Sequence, residues 1–400
     1  MPLPRRPGKG ARRLYLTRKV TLVITCWGGA PASASAQWSG SAAVGTRGYP
    51  DSAPGEAPRH ELSLTVEAKG SLTWDDRSQI LTIAPFIRID PDNRLRTRLD
   101  FLDLVWEKIW NDWEVAIGMR QVSWGVAESA ALVDVINQRD FGEDAVAPGR
   151  LGQPLLNVKT FTSLGSFEGY VVPYFRERRF AGRGAALWSP LPVDEDGAEF
   201  EHDRGREHID WTLRWSHFVG GFDVSLAHFS GTNRDPRFEA SPQVGGGPGW
   251  IPRYDQIDQT SLDAQWTRDA LLLKVELLRR ASDFEKFYAV VGGFEYALAG
   301  YLSVFVEYLY DGRGEDATTS TENDVFVGAR LLTQDWTVSS RAFLDYRSGN
   351  VVASATASRR IGDRATLEVD GRLFIGDPSD EPVFARRLDT YLSLNFTLFL

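Results

Sequence analysis

The sequence predicts an all-β chain closed into a transmembrane antiparallel β-barrel of about 18 strands (16–18), with short periplasmic turns and long extracellular loops. Three observations predict it: apolar and polar residues alternate with period two, short and long connections interleave, and the N-terminus reads as an export segment. Composition narrows the field further. A mean hydropathy of −0.27 and 25% charged residues would suit a soluble acidic protein. Yet 22 Phe, 13 Trp and 12 Tyr stand beside only 2 Met and 5 His, a balance that favours strands. No run beyond the N-terminus approaches the roughly 18 apolar residues of a spanning helix. One Cys excludes a disulfide framework and a Cys-based zinc site, and a net charge of −9 argues against nucleic acid as a partner.

Residues 1–36 have the three parts of a signal peptide. Seven basic and no acidic residues precede and enter an apolar run, Val20 to Trp27, and small residues follow to Ala34-Ser35-Ala36. Arg12-Arg13 also resembles a twin-arginine signal, a route for folded cargo that a barrel would not take. Cys26 has poor neighbours for lipidation, Thr25 and Trp27. The barrel is expected over 37–400. That part keeps 38 basic and 54 acidic residues, a net charge of −16, and no cysteine, as suits a Gram-negative envelope protein.

Alternation then defines the strands. Leu62, Leu64, Val66, Ala68, Leu72 and Trp74 share one face while Glu67, Lys69, Ser71 and Thr73 share the other. Ile209, Trp211, Leu213 and Trp215 alternate with Asp210, Thr212, Arg214 and Ser216 in the same way. The segments fall near 38–49, 61–74, 79–90, 94–107, 113–123, 155–162, 167–176, 208–218, 222–230, 258–267, 271–280, 286–297, 301–311, 323–333, 336–346, 350–359, 364–376 and 386–400. Tight links such as Asn111-Asp112, Gly220-Gly221 and Gly362-Asp363 interleave with longer ones at 124–154, 177–207, 231–257, 312–322 and 377–385. A propeller or β-helix would instead keep a fixed repeat. The last segment carries Leu392, Leu394, Phe396, Leu398 and Leu400 on one face, the kind of terminal strand that barrel-assembly machinery recognises.

If the apolar faces meet lipid, the polar faces line the lumen. Pore-lining and selectivity candidates are Arg94, Arg96, Arg98, Arg120, Lys159, Arg176, Arg214, Glu295, Glu307, Arg330 and Arg341, with Arg88, Glu168, Asp210, Glu276, Asp370 and Arg372 on the same faces. Arg94, Arg96 and Arg98 on one strand, with Arg120 on the next, would make an anion-attracting ladder. The competing reading is a salt-bridge lattice that stiffens the wall. Trp74, Trp106, Trp110, Trp113, Trp211, Trp336, Tyr308, Tyr310 and Tyr391 read as interfacial girdles.

The stretch Gly118-Met119-Arg120-Gln121-Val122-Ser123-Trp124-Gly125, followed by Asp134-Val135-Ile136-Asn137-Gln138-Arg139-Asp140, resembles a proteobacterial family of outer-membrane barrels of unknown function. Its pattern is Gly-Arg-Gln, then Trp-Gly, then Asp-x-x-Asn-Pro-x-Asp. Met119 interrupts the first element and Gln138 replaces the proline. Val171 to Arg176, Asp255 to Asp263 and Glu307 to Asp311 are similar to the same family. The Arg-Gln element also resembles alginate-export porins, although carboxylates dilute the arginines here. The resemblance implies a passive or facilitated channel. The connection after the motif is expected to be a constriction loop carrying Glu128, Asp134, Asn137 and Asp140, with a short helix over Glu128–Ile136.

No residues suggest catalysis. No Gly-x-Ser-x-Gly occurs, and no His pair has metal-ligand spacing. Asp194 to Glu201 is acidic but lacks an EF-hand pattern. No cofactor or metal is expected. The expected function is an outer-membrane porin-like channel or substrate-specific transporter for an unidentified small solute. The alternative is a non-conducting scaffold or receptor within an envelope transport system. Expected partners are outer-membrane lipid and lipopolysaccharide, with a monomer and a trimer both open.

Overall fold

The computed structural model describes residues 18–24, 32–50, 59–144, 148–180, 192–244, 247–314, 317, 323–347, 349–376 and 390–400. Eighteen strands form its wall. The first six are β1 (Ala32–Gly48), β2 (His60–Trp74), β3 (Gln79–Ile89), β4 (Arg98–Trp110), β5 (Trp113–Arg120) and β6 (Gln153–Thr162). The middle six are β7 (Gly165–Val172), β8 (Asp210–Val219), β9 (Phe222–Thr232), β10 (Gln256–Arg268), β11 (Leu271–Ala281) and β12 (Lys286–Ala299). The last six are β13 (Leu302–Asp311), β14 (Asp324–Leu332), β15 (Trp336–Asp345), β16 (Val351–Ile361), β17 (Ala365–Ile375) and β18 (Tyr391–Phe399). Each strand pairs antiparallel with the next, and β18 returns to β1 from Ser41↔Phe399 to Gly48↔Leu392. The closed sheet has no exposed edge.

Each segment expected from alternation overlaps one of these strands. The link lengths also sort by end. At one end sit two-residue turns such as Asn111-Asp112 and Gly220-Gly221, where Asn111 (φ 47°), Gly220 (φ 58°) and Gly221 (φ 87°) take the left-handed backbone that twisted hairpins need. At the other end lie 121–152, 173–209 and 233–255. The last of these is not plain loop as expected. It carries a hairpin, Arg237–Val244 with Gly247–Tyr254, onto which Glu199–Phe200 adds in parallel.

One boundary differs in a way that matters. The segment expected at 94–107 begins at Arg98, because Asp90 Oδ1 accepts the N–H groups of Asp92 and Asn93 and turns the chain ahead of it. Arg94 and Arg96 therefore sit in the turn and not on the strand with Arg98. Upstream, Arg18–Ile24 pairs with Ala32–Trp38. The rest of the predicted export segment through residue 31, most of 312–322, and the 377–385 loop lie outside the described residues.

The two faces divide by parity. Leu62, Leu64, Leu213, Leu226, Leu273, Leu277, Leu392, Leu394, Phe396 and Leu398 are exposed on the outside. So are Trp110, Trp113, Trp211, Trp336, Tyr308 and Tyr310 of the expected girdles, but Tyr391 is buried and faces the bore. Inside, Glu276, Glu307, Asp210 and Gln259 are almost wholly buried. Buried polar groups are stable only when hydrogen-bonded, so their partners define the interior.

Candidate functional site

Those partners come from the 121–152 connection between β5 and β6. Glu276 on β11 accepts the backbone N–H groups of Val126 (2.7 Å), Ala127 (2.8 Å) and Val133 (3.3 Å). Glu307 on β13 accepts those of Glu128 (2.9 Å) and Ser129 (2.8 Å), with the Ser129 hydroxyl at 2.5 Å. The helix expected at Glu128–Ile136 does not form: Val133, whose N–H would bond the carbonyl four residues back, donates to Glu276 instead, and Glu128 and Ser129 are held on Glu307. Turns and bends take its place.

Apolar packing seats the same segment. Val122, Trp124, Val133, Val135 and Ile136 are buried with Leu155, Tyr170, Val172, Ala227, Phe229 and Ile257 of the wall. Trp124 meets Tyr170 edge-on at 5.5 Å and lies under the Arg214 guanidinium at 5.0 Å. Asn137 fixes the exit of the connection, accepting from Val122 N and donating to the carbonyls of Arg120 and Leu151.

Ion pairs involve nearly every other expected site residue. Glu128 bridges Lys274 (3.0 Å) and Arg330 (2.7 Å), and Glu295 lies 3.4 Å from Lys274. Burial alone would raise the Glu128 pKa, but hydrogen bonding and attraction from Lys274 and then Arg330 hold it below the usual carboxylate range. Asp134 pairs with Arg139 and Arg150, and burial still pushes its carboxyl up. Arg98 pairs with Asp140 (2.7 Å), Arg120 with Glu107 (2.9 Å), Lys159 with Glu168 (3.0 Å), Arg176 with Asp100 (2.9 Å) and Arg214 with Asp263 (3.4 Å). Arg96 is buried against Glu61 and Asp90, while Arg94 is exposed in its turn. The four arginines of the expected ladder thus occupy separate environments. Arg341 stands apart as well: it is exposed and donates to Ser354 Oγ at 3.0 Å.

Several partners escaped the sequence reading. Glu143 reaches Arg88 on β3 at 2.6 Å, and Asp144 reaches Arg372 on β17 at 2.8 Å. Arg234 joins Asp210 (2.6 Å) to the Ile136 carbonyl (3.1 Å). These residues lie in irregular links, where alternation gives no facing. Among the described residues, no group of three His, Cys, Asp or Glu could hold a metal ion.

Fold and interior together define a class: a closed eighteen-stranded antiparallel barrel with an apolar exterior and a charged, loop-contacted interior. No protein-family model and no curated protein sequence matches the chain. Among solved structures it is similar to a Rhodopseudomonas blastica porin triple mutant (10% identity, TM-score 0.46, 91% of this chain and 100% of that one). It is also similar to Salmonella typhi OmpF in complex with daunomycin (11% identity, TM-score 0.46, 92% of this chain and 98% of that one). A likeness at that level identifies no shared residue.

Proposed function

We propose that this protein is a porin-like channel or substrate-specific transporter for small solutes in the Gram-negative outer membrane, and that the 121–152 connection folds into its bore and narrows it. Residues 1–36 direct export, and the β18 strand is the signal for the assembly machinery. The observation that carries the reading is the bonding of Val126, Ala127, Glu128, Ser129 and Val133 N–H groups to Glu276 and Glu307. The connection leaves the wall at β5, six and eight strands away from those carboxylates along the closed sheet. Through a closed wall, that distance is spanned from inside. The exterior supports the membrane address, because a ring of exposed Leu, Phe, Trp and Tyr of this extent suits hydrocarbon and not water.

Solutes would pass between the connection and the wall from β14 to β2. There the inward positions include a run of small or polar residues: Gly328, Ser339, Ser354, Thr356, Ser393, Gly45 and Ser63. Glu128 with Arg330, and Arg341 on the neighbouring strand β15, would set selectivity. A non-conducting scaffold is the competing reading, because the connection also contacts Arg88 and Arg372 and so spans much of the bore. Planar-bilayer recording of the chain from Gln37 separates the two. Discrete conductance steps are expected. A silent barrel that binds an envelope partner would overturn the channel.

A further inference from the structure

The tip of the connection rests on a feature that the channel reading leaves unused. Arg47 on β1 and Arg372 on β17 flank Tyr391 on the strand between them, with their guanidinium carbons 4.2 Å and 5.2 Å from its ring centre. Arg372 is held by Asp144 in a two-pronged pair, Nη1 to Oδ1 at 2.8 Å and Nη2 to Oδ2 at 3.0 Å. The side chains are 3% and 14% exposed, so this pair is shielded from water. Arg47 is less well served. Its register neighbour is Glu61, but the Glu61 oxygens already take Asn93, Tyr49 and Arg96. Asp370 is likewise committed, to the hydroxyls of Tyr391 and Thr356. Arg47 Nη1 is buried without a hydrogen-bond partner, although Tyr49 hydrogen-bonds the guanidinium elsewhere and Asp144 acts on it electrostatically.

We propose that Arg47 and Arg372 form a carboxylate-binding subsite on the bore wall, that Asp144 occupies it from within the chain, and that the carboxylate of a passing solute displaces Asp144. A buried guanidinium donor left without an acceptor is costly, and a two-pronged guanidinium–carboxylate pair is the geometry that recognises carboxylate. Asp144 is tethered beside Glu143, which is fixed to Arg88 at 2.6 Å, and both of its oxygens are aimed at Arg372. An untethered dicarboxylate can reach both guanidinium groups. The solute class is therefore a small organic carboxylate, with a dicarboxylate preferred to a monocarboxylate. This assignment rests on the barrel being a channel, and its test is arranged to fail separately.

The probe is succinate, with acetate and glycerol as comparisons. In planar bilayers, succinate added to one side is expected to interrupt the current of the chain from Gln37, acetate more weakly, and glycerol not at all. Asp144→Asn frees the subsite and should lower the half-blocking succinate concentration at least tenfold. Arg372→Gln and Arg47→Gln should raise it at least tenfold, and Arg372→Lys should fall between because it keeps charge without the fork. Far-UV circular dichroism checks that each variant is folded. If no variant conducts, the channel reading fails by itself, and calorimetry of succinate with detergent-solubilised Asp144→Asn still decides the subsite. Binding heat that Arg372→Gln abolishes in that background supports it. Absence of heat, or block unchanged in Asp144→Asn and Arg372→Gln, overturns it.

Discussion

The 121–152 connection is attached to the wall in two ways. Over 126–133 its backbone N–H groups enter fixed carboxylates, Glu276 and Glu307, and its side chains enter an apolar cluster around Trp124. At 143–144 it is attached through the tips of two side chains, Glu143 to Arg88 and Asp144 to Arg372. The first attachment fixes a backbone path. The second can exchange one carboxylate for another without moving the strands. In the proposed channel the two together would give a rigid constriction with an adjustable margin beside it.

The sharpest way to break this contrast is at the backbone anchor. Glu276→Ala would leave three backbone N–H groups, one buried and two partly buried, without this acceptor and should destabilise the detergent-solubilised barrel by about 3 kcal/mol, read from denaturant unfolding. Trp124→Ala comes next, at about 3 kcal/mol by the same measurement, because it empties a space between the connection and Tyr170. Glu143→Gln should cost only about 1 kcal/mol, since its carboxylate is partly exposed. It should instead lengthen current fluctuations between open levels.

Acid should loosen the contrast in one direction. The Glu128 pKa is lowered in the folded protein, so its contribution is fully present above the ordinary glutamate value of about 4.3 and is lost as pH falls through the lowered value. The Glu128 contribution to conductance noise should therefore appear only below about pH 4. The smallest effect on stability is expected at Arg341, which is exposed and bonds only a serine hydroxyl among its described contacts. Arg341→Glu should leave unfolding unchanged and move the reversal potential in a salt gradient toward cation selectivity.

The wall was legible in the sequence because parity is a local signal: each strand carries its own apolar face, as Leu392 to Leu398 does. The interior was legible only in part. Arg98, Arg120 and Arg214 were recognised as inward, yet their carboxylate partners come from other strands or from links, and no spacing matches Asp140 or Asp263 to these arginines. The ladder Arg94-Arg96-Arg98 dissolved because Asp90 turns the chain before Arg98. The helix at Glu128–Ile136 failed for a related reason. Local apolar spacing favoured it, but Glu276, well over a hundred residues away in sequence, took the Val133 donor and Glu307 held the first turn. Long-range acceptors decide such segments, and no window of sequence contains them.

In the proposed channel, a conducting bore is narrowed by a connection hung on Glu276 and Glu307. Single-channel conductance of the chain from Gln37 and of its Glu276→Ala/Glu307→Ala variant tests it most directly. Small, uniform steps are expected for the first and larger, more variable steps for the second. Equal steps in the two proteins, or silence in both, would contradict it.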